Sequence, residues 1–167
     1  MERLWAPWRM EYIEGMGKEE KGCIFCTSAS EDRDTENFIL YRGKTVFIIL
    51  NTFPYTNGHL LVAPYRHTAD LTDLQEGEAR ELLSAATLGI KALRRAMSPD
   101  GFNLGINLSR TAGAGIADHL HLHIVPRWTG DTNFMSVCGE AKVIPEALPA
   151  TLDRLRQAIS TLESDDA

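Results

Sequence analysis

The stretch His119-Leu120-His121-Leu122-His123-Ile124-Val125-Pro126 decides how this chain is read. Histidine and aliphatic residues alternate through it, the period of a half-buried β-strand. Alternate side chains of a strand share a face, so His119, His121 and His123 point one way and Leu120, Leu122 and Ile124 point into a core. Three of the chain's five histidines thus fall on one face within five residues. Same-face neighbours lie ~6.5–7 Å apart. Three readings are open. The face tolerates histidine and does nothing else. The imidazoles hold a metal, although three collinear ligands do not readily surround one ion. Or one imidazole is a nucleophile whose neighbours donate hydrogen bonds to the group under attack.

Working outward, the preceding loop Ser109 to Ala117 contains Gly113-Ala114-Gly115. Gly113 and Gly115 allow close backbone approach and can present N–H groups to an anion. Ser109, Arg110 and Thr111 add donors, so the loop suits a phosphate, although a plain turn would look the same. A strand Phe102 to Asn107 precedes it, after the stop signal Ser98-Pro99-Asp100-Gly101. Upstream, Thr72 and Gln75 fit a capping box that opens a long helix to Met97. Its apolar stripe is Ala79, Leu82, Leu83, Ala86, Ile90, Leu93 and Met97. Three more strands, Phe38 to Tyr41, Thr45 to Leu50 and His59 to Pro64, stand before it, the first two flanking the turn Arg42-Gly43-Lys44. A final helix from Pro145 to Leu162 presents Leu148, Leu152, Leu155, Ile159 and Leu162 on one face. Five strands with two segregated helices predict an α+β domain on an antiparallel sheet.

The 167 residues suit roughly one domain. With 17 Lys+Arg against 23 Asp+Glu the net charge is −6, which disfavours duplex nucleic acid and anionic membranes as partners. No run approaches the ~18–20 apolar residues of a spanning helix. Met1 to Met10 lacks the apolar core of a secretory signal. Three cysteines, Cys23, Cys26 and Cys138, argue against a disulfide framework, and a cytoplasmic location is expected. Cys23-Ile24-Phe25-Cys26 reads as two buried thiols, a redox pair or half a zinc site. A thioredoxin-like pair needs a βαβ context that is absent. A charged loop, Ser28 to Asn37, is expected after it.

The H-x-H-x-H run, Asn51 after a hydrophobic strand, Gly58-His59-Leu60-Leu61-Val62 opening the next and Asn107 before the Gly loop together resemble the histidine triad (HIT) superfamily of nucleotide hydrolases and transferases. The resemblance covers roughly Cys23 to Trp128. Trp5-Ala6-Pro7-Trp8-Arg9, the segment containing Arg127, Trp128, Gly130, Asp131, Asn133 and Phe134, and the closing helix resemble its bacterial and archaeal diadenosine tetraphosphate phosphorylase branch, which is related to the fragile-histidine-triad proteins. The resemblance implies a HIT-like fold: a five-stranded antiparallel sheet, one long helix and a C-terminal helix. It implies an arm over 1–22, a HIT domain over 23–137, and a C-terminal helix and tail over 138–167 packed on that domain.

The same resemblance implies roles. His121 is the nucleophile that forms a nucleotidyl-histidine. His123 bonds a phosphate oxygen, His119 lies behind the nucleophile with its carbonyl accepting from His121, and His59 supports the triad from beneath. Asn51 lies near the ribose, Asn107 near the phosphates, and Gly113 and Gly115 belong to the phosphate loop. Cys23, Cys26, His67 and His119 form a structural zinc site, with no organic cofactor. The expected activity is cytoplasmic nucleotidyl transfer or hydrolysis on dinucleoside polyphosphates, with diadenosine tetraphosphate phosphorolysis leading, inorganic phosphate as a possible acceptor and a homodimer as the assembly. The alternatives are a nucleoside phosphoramidate hydrolase, whose chains are shorter and lack the Trp arm, and a low-turnover nucleotide-binding regulator, which need not keep His121.

Overall fold

A computed structural model describes residues 22–131 and 143–165. The Trp5 and Trp8 arm, Asn133, Phe134 and Cys138 lie outside the described residues. The elements run α1 (Ile24–Ser30), β1 (Ile39–Arg42), β2 (Val46–Leu50), β3 (Leu60–Pro64), α2 (Glu76–Met97), β4 (Gly101–Ile106), β5 (Leu122–Arg127) and α3 (Leu148–Asp165). The strands form one antiparallel sheet in the order β1-β2-β3-β5-β4. The expected five-stranded α+β architecture is therefore present, with strand boundaries shifted by one or two residues.

The two sheet faces carry separate cores. On one, Val46, Ile48, Leu50, Leu60, Val62, Leu122 and Ile124 pack against α2 and α3. Small residues let α2 lie close to the sheet. A Cβ on Gly89 would stand 3.2 Å from Ile124 Cδ1 and 3.3 Å from Leu60 Cδ1. On the other face Phe25, Ile39, Phe47, Ile49, Leu61 and Ala63 form a smaller cluster. Every residue of β2 and β3 is buried, because both faces are covered.

Four local expectations are corrected. A third helix, α1, occupies Ile24–Ser30, where no helix was expected. It carries no side-chain cap bond at Cys23 and is only seven residues long, so the local code for it is weak. The capping box of α2 is Gln75 with Glu78, not Thr72 with Gln75. Thr72 lies in a 3₁₀ turn, Leu71–Asp73, capped by Asp70. Leu83 is 65% exposed; the buried face of α2 runs through Leu82, Ala85, Ala86, Gly89, Ala92 and Leu93. Finally, α3 begins at Leu148 and Pro145 stands outside it. Its buried face contains Leu152, Leu155 and Ile159 as expected.

Candidate active site

The histidine run lies on the face of the smaller core. His123 belongs to β5, between Leu61 of β3 and Gly105 of β4. His119 and His121 precede the strand, and the Leu120 N–H donates to the Thr68 carbonyl at 2.6 Å, which keeps that segment beside the sheet. The triad is not an exposed face: His121 is only 6% exposed and His119 1%. Phe25 of α1 forms a wall, its ring 5.1 Å from that of His119 and 5.0 Å from that of His121 between centroids.

Hydrogen bonds to groups that can only accept fix the imidazole tautomers. His119 Nε2–H donates to the Pro64 carbonyl at 2.8 Å, leaving a lone pair on Nδ1. His121 Nδ1–H donates to the His119 carbonyl at 2.8 Å, leaving the lone pair on Nε2. A second chain orients His123. Asn51 Oδ1 accepts from the Phe53 N–H at 2.9 Å, which turns the Asn51 amide toward His59 Nδ1 at 3.2 Å. The Tyr55 N–H donates to the same nitrogen at 3.1 Å. With Nδ1 accepting, His59 Nε2–H donates to His123 Nδ1 at 2.9 Å. His123 therefore carries its proton on Nε2, a buried donor with no partner among the described residues.

Burial pushes the His121 and His119 imidazoles below their ordinary value. Burial, and then the neighbouring His121, push His123 down to about 4. His121 is thus a neutral imidazole with a free Nε2, the form a nucleophile requires. Its ring centroid is 4.8 Å from that of His123, whose orphan N–H can meet developing negative charge.

A second constellation joins this one through His119. Cys23 Sγ is 3.2 Å from His119 Nδ1, Cys26 Sγ is 3.6 Å from the same nitrogen, and Cys26 Sγ is 3.4 Å from His67 Nδ1. The four ligand atoms all lie within 4.8 Å of one another. In a tetrahedral site with Zn–S of ~2.3 Å and Zn–N of ~2.0 Å, a sulfur and a nitrogen stand roughly 3.5 Å apart. The observed separations fit that dimension. The donor set fits as well, since His119 offers Nδ1 while a carbonyl holds its other nitrogen, the usual support of a metal-bound histidine. Burial and the adjacent Cys23 push the Cys26 thiol up, so deprotonating it calls for a cation.

The remaining expected residues fall as follows. Both ends of the Asn51 amide are engaged inside the protein, so it positions His59. The amide of Gly113 donates to the Arg110 carbonyl and that of Ala114 to the Ser109 carbonyl, so neither is available to an anion. What Gly113 supplies is its φ of +91°, which ends the short 3₁₀ turn Arg110–Ala112. Ile116 packs on the Phe25 cluster and draws the loop to the histidine face. Asn107 lines a pocket of about 390 Å³ with Tyr55, Asn103, Gly105, His123 and Arg127. Sequence reading missed Phe25 and Tyr55. Phe25 was legible only as the middle of a cysteine pair, and Tyr55 only as part of a turn.

Comparison with known proteins agrees. The family model described as HIT domain matches residues 32–130. An AP-4-A phosphorylase of Mycobacterium tuberculosis is 40% identical over 157 residues, covering 90% of this chain and 80% of that one. A crystal structure of a Zn-bound histidine triad family protein from Mycobacterium smegmatis superposes with a TM-score of 0.70 at 28% identity, over 87% of this chain and 98% of that one. A hypothetical histidine triad nucleotide-binding protein from Sulfolobus tokodaii gives 0.69 at 29% identity, over 84% and 94%.

Proposed function

This chain belongs to the HIT domain family, and from that premise we propose that it is an enzyme of nucleotidyl transfer or hydrolysis on dinucleoside polyphosphates, with diadenosine tetraphosphate as substrate and inorganic phosphate as acceptor. The observation that carries this reading is the pairing of a neutral His121, held by the His119 carbonyl with Nε2 free, with the partnerless N–H of His123 beside it. The likeness to an AP-4-A phosphorylase over nine-tenths of the chain supports the substrate.

In the proposed reaction His121 Nε2 attacks an α-phosphorus and a P–N bond forms. The opposite P–O bond breaks, and its oxygen leaves with the electron pair as the terminal oxygen of ATP. The His123 N–H bonds the phosphate oxygens as charge gathers there, and His59 keeps that N–H aimed. The His119 carbonyl stabilises the positive imidazole ring of the adduct through Nδ1–H. Phosphate then attacks the nucleotidyl-histidine from the open side, giving ADP and restoring the lone pair of His121. Asn107, which lines the pocket with His123, and the Gly115 amide would bond the phosphates.

Cys23, Cys26, His67 and His119 would hold zinc, whose contribution is structural: a closed four-ligand site leaves no position for substrate. The fit of their separations to a tetrahedral site supports this, as does the Zn-bound relative. The HIT unit spans 23–137 with the C-terminal helix packed against it. The exposed edge strand β4 is where a second copy would join to make a homodimer. No helix among the described residues is long and apolar enough to cross a membrane. Cys23 and Cys26 form no disulfide with each other, the state that the proposed cytoplasmic location would keep.

Product analysis tests the reading. Diadenosine tetraphosphate incubated with phosphate should give ADP and ATP, and without phosphate ATP and AMP from attack by water. Failure to cleave the dinucleotide in either condition overturns it.

A further inference from the structure

The pocket beside His123 lies apart from the nucleophile and from the metal-ligand cluster, and nothing in the reaction above uses most of its lining. Along β5 the order is fixed by the strand. His119, beside the cysteines, and His121 lie in the segment that leads into the strand, and His123, Val125 and Arg127 follow on the strand itself. The pocket starts at His123 and runs toward Arg127, bounded by Asn103, Gly105 and Asn107 of the β4 side and by Tyr55 and Thr56 of the β2–β3 loop. Gly105 is the register partner of His123, and a Cβ there would meet nothing within 4 Å, so no atom of the described chain closes the pocket at that point.

Attack at phosphorus expels the leaving oxygen on the side away from the attacking atom. A phosphorus held between His121 Nε2 and the His123 N–H would release its leaving group past His123, the residue at which this pocket begins. Two planar groups face it. The Tyr55 ring lies at 11° to the His123 ring and is itself 49% exposed. The Arg127 guanidinium is held in a fixed plane: Asp131 accepts from Nε at 2.6 Å and from Nη2 at 2.8 Å, and Asn103 Oδ1 accepts from Nη1 at 2.8 Å. Aromatic rings and guanidinium planes are surfaces on which a nucleobase stacks. The volume of about 390 Å³ falls within the range of small-molecule sites.

We propose that this pocket binds the departing half of the substrate, the nucleoside polyphosphate released when the nucleotide passes to His121, and that Asn103, Arg127 and Tyr55 determine preference for a dinucleoside substrate over one with a small leaving group. The proposal rests on the reading of the chain as a dinucleoside-polyphosphate enzyme. It gives the second nucleoside a binding site of its own, separate from the nucleotide that stays on the enzyme.

The test compares two substrates that deliver the same AMP unit, diadenosine tetraphosphate and the 4-nitrophenyl ester of AMP. Their kcat/KM values are measured for the wild-type protein, Asn103→Phe and Arg127→Gln. Asn103 is exposed on β4, so its replacement fills the pocket without touching the core. Because β4 is also the edge proposed to join a second copy, each variant is first shown by light scattering to keep the parent's oligomeric state. The expected result is a fall of roughly tenfold in the dinucleotide-to-ester ratio for each variant, carried by KM for the dinucleotide, as loss of one stacked or hydrogen-bonded base contact implies. An unchanged ratio in folded Asn103→Phe overturns the proposal, and so does an equal fall for both substrates, which would put the retained nucleotide in the pocket. A wild-type protein that cleaves the ester but not the dinucleotide removes the functional reading on which the proposal rests. Cleavage of neither substrate by the wild-type protein removes the functional reading itself.

Discussion

A single imidazole carries the proposed chemistry, and its surroundings say what its loss should do. His121 is buried between Phe25 and His123, with Nδ1 on the His119 carbonyl. His121→Ala should lower turnover by about 10⁴-fold or more, the scale seen when a covalent nucleophile is removed. Steady-state assay on protein whose circular dichroism matches the parent checks this; near-parental turnover sinks the assignment. His123 supplies a second prediction. Its pKa in the fold is about 4, below the ordinary value of 6.5, because burial and the adjacent His121 disfavour its charged form. Between these values the unfolded chain binds more protons than the folded one, so stability is full above pH 6.5 and falls as the pH drops toward 4. His123→Gln cannot titrate there and should show a shallower acid fall in Tm over that window than the wild type. Parallel curves would mean that His123 does not titrate as its burial requires. The three histidines, His59 and Asn51 were all legible as residues, since spacing and resemblance point to them. Their tautomers were not, because these depend on carbonyls of Pro64 and His119 that only the folded chain brings into range. The expected anion role of the Gly113 amide failed for the same reason: its partner is decided by the turn it sits in.

Among the elements, α1 contributes most to the site and was the least visible. Its seven residues bring Phe25 against the nucleophile and Cys26 against His67 and His119, yet no side-chain cap opens it. Long-range contacts hold it instead. Phe25 is buried in the smaller core, and Arg42 of β1 reaches across to donate to the Ala29 and Glu31 carbonyls at 2.8 Å each, while Asp34 accepts from the same guanidinium at 2.7 Å. Those carbonyls are the unsatisfied groups expected at a helix C-terminus. Because Arg42 and α1 are more than ten residues apart, no local pattern reveals the arrangement. By contrast, α2 was read almost to its last residue from its period and its Pro-Gly stop. Only its start was misplaced, because Asp70 and Gln75 both cap and the nearer turn is 3₁₀. Arg42→Met keeps the apolar stem and removes the donors. Loss of charge-assisted bonds should cost about 2 kcal/mol, and for a chain of this size that is a fall of roughly 4–8 °C in Tm. It should also weaken metal retention while the α2–α3 side of the sheet stays intact. Thermal melts paired with competition against a zinc-binding dye measure both; an unchanged Tm would show that Phe25 alone secures the helix.

At the scale of the whole molecule the sheet separates stability from chemistry. Its α2–α3 face is a continuous apolar core, whereas the opposite face has a small cluster beside a row of buried imidazoles. That second face has the smaller apolar cluster, and in the proposed reading a metal held by Cys23, Cys26, His67 and His119 would compensate. It links α1, the segment after β3 and the approach to β5, closing loops of 41 residues from Cys26 to His67 and 52 from His67 to His119. A metal that binds only the folded arrangement stabilises it by mass action. The same geometry dictates how two substitutions should differ. Cys23→Ser removes one ligand and leaves His119, its Pro64 bond and its carbonyl in place, so Tm should drop and metal should be lost while turnover falls only in part. His119→Ala removes a ligand that also lines the nucleophile, so stability and turnover should fall together. Excess chelator should bring the wild type down to the Tm of Cys23→Ser and leave that variant unchanged, because the two share one missing contribution. Elemental analysis of the purified proteins, with melts in the presence and absence of chelator, reads all of these. If the wild-type melt ignores chelator and Cys23→Ser is as stable as its parent, the four residues hold no metal and the smaller core must be stable through Phe25, Phe47 and Ile49 alone.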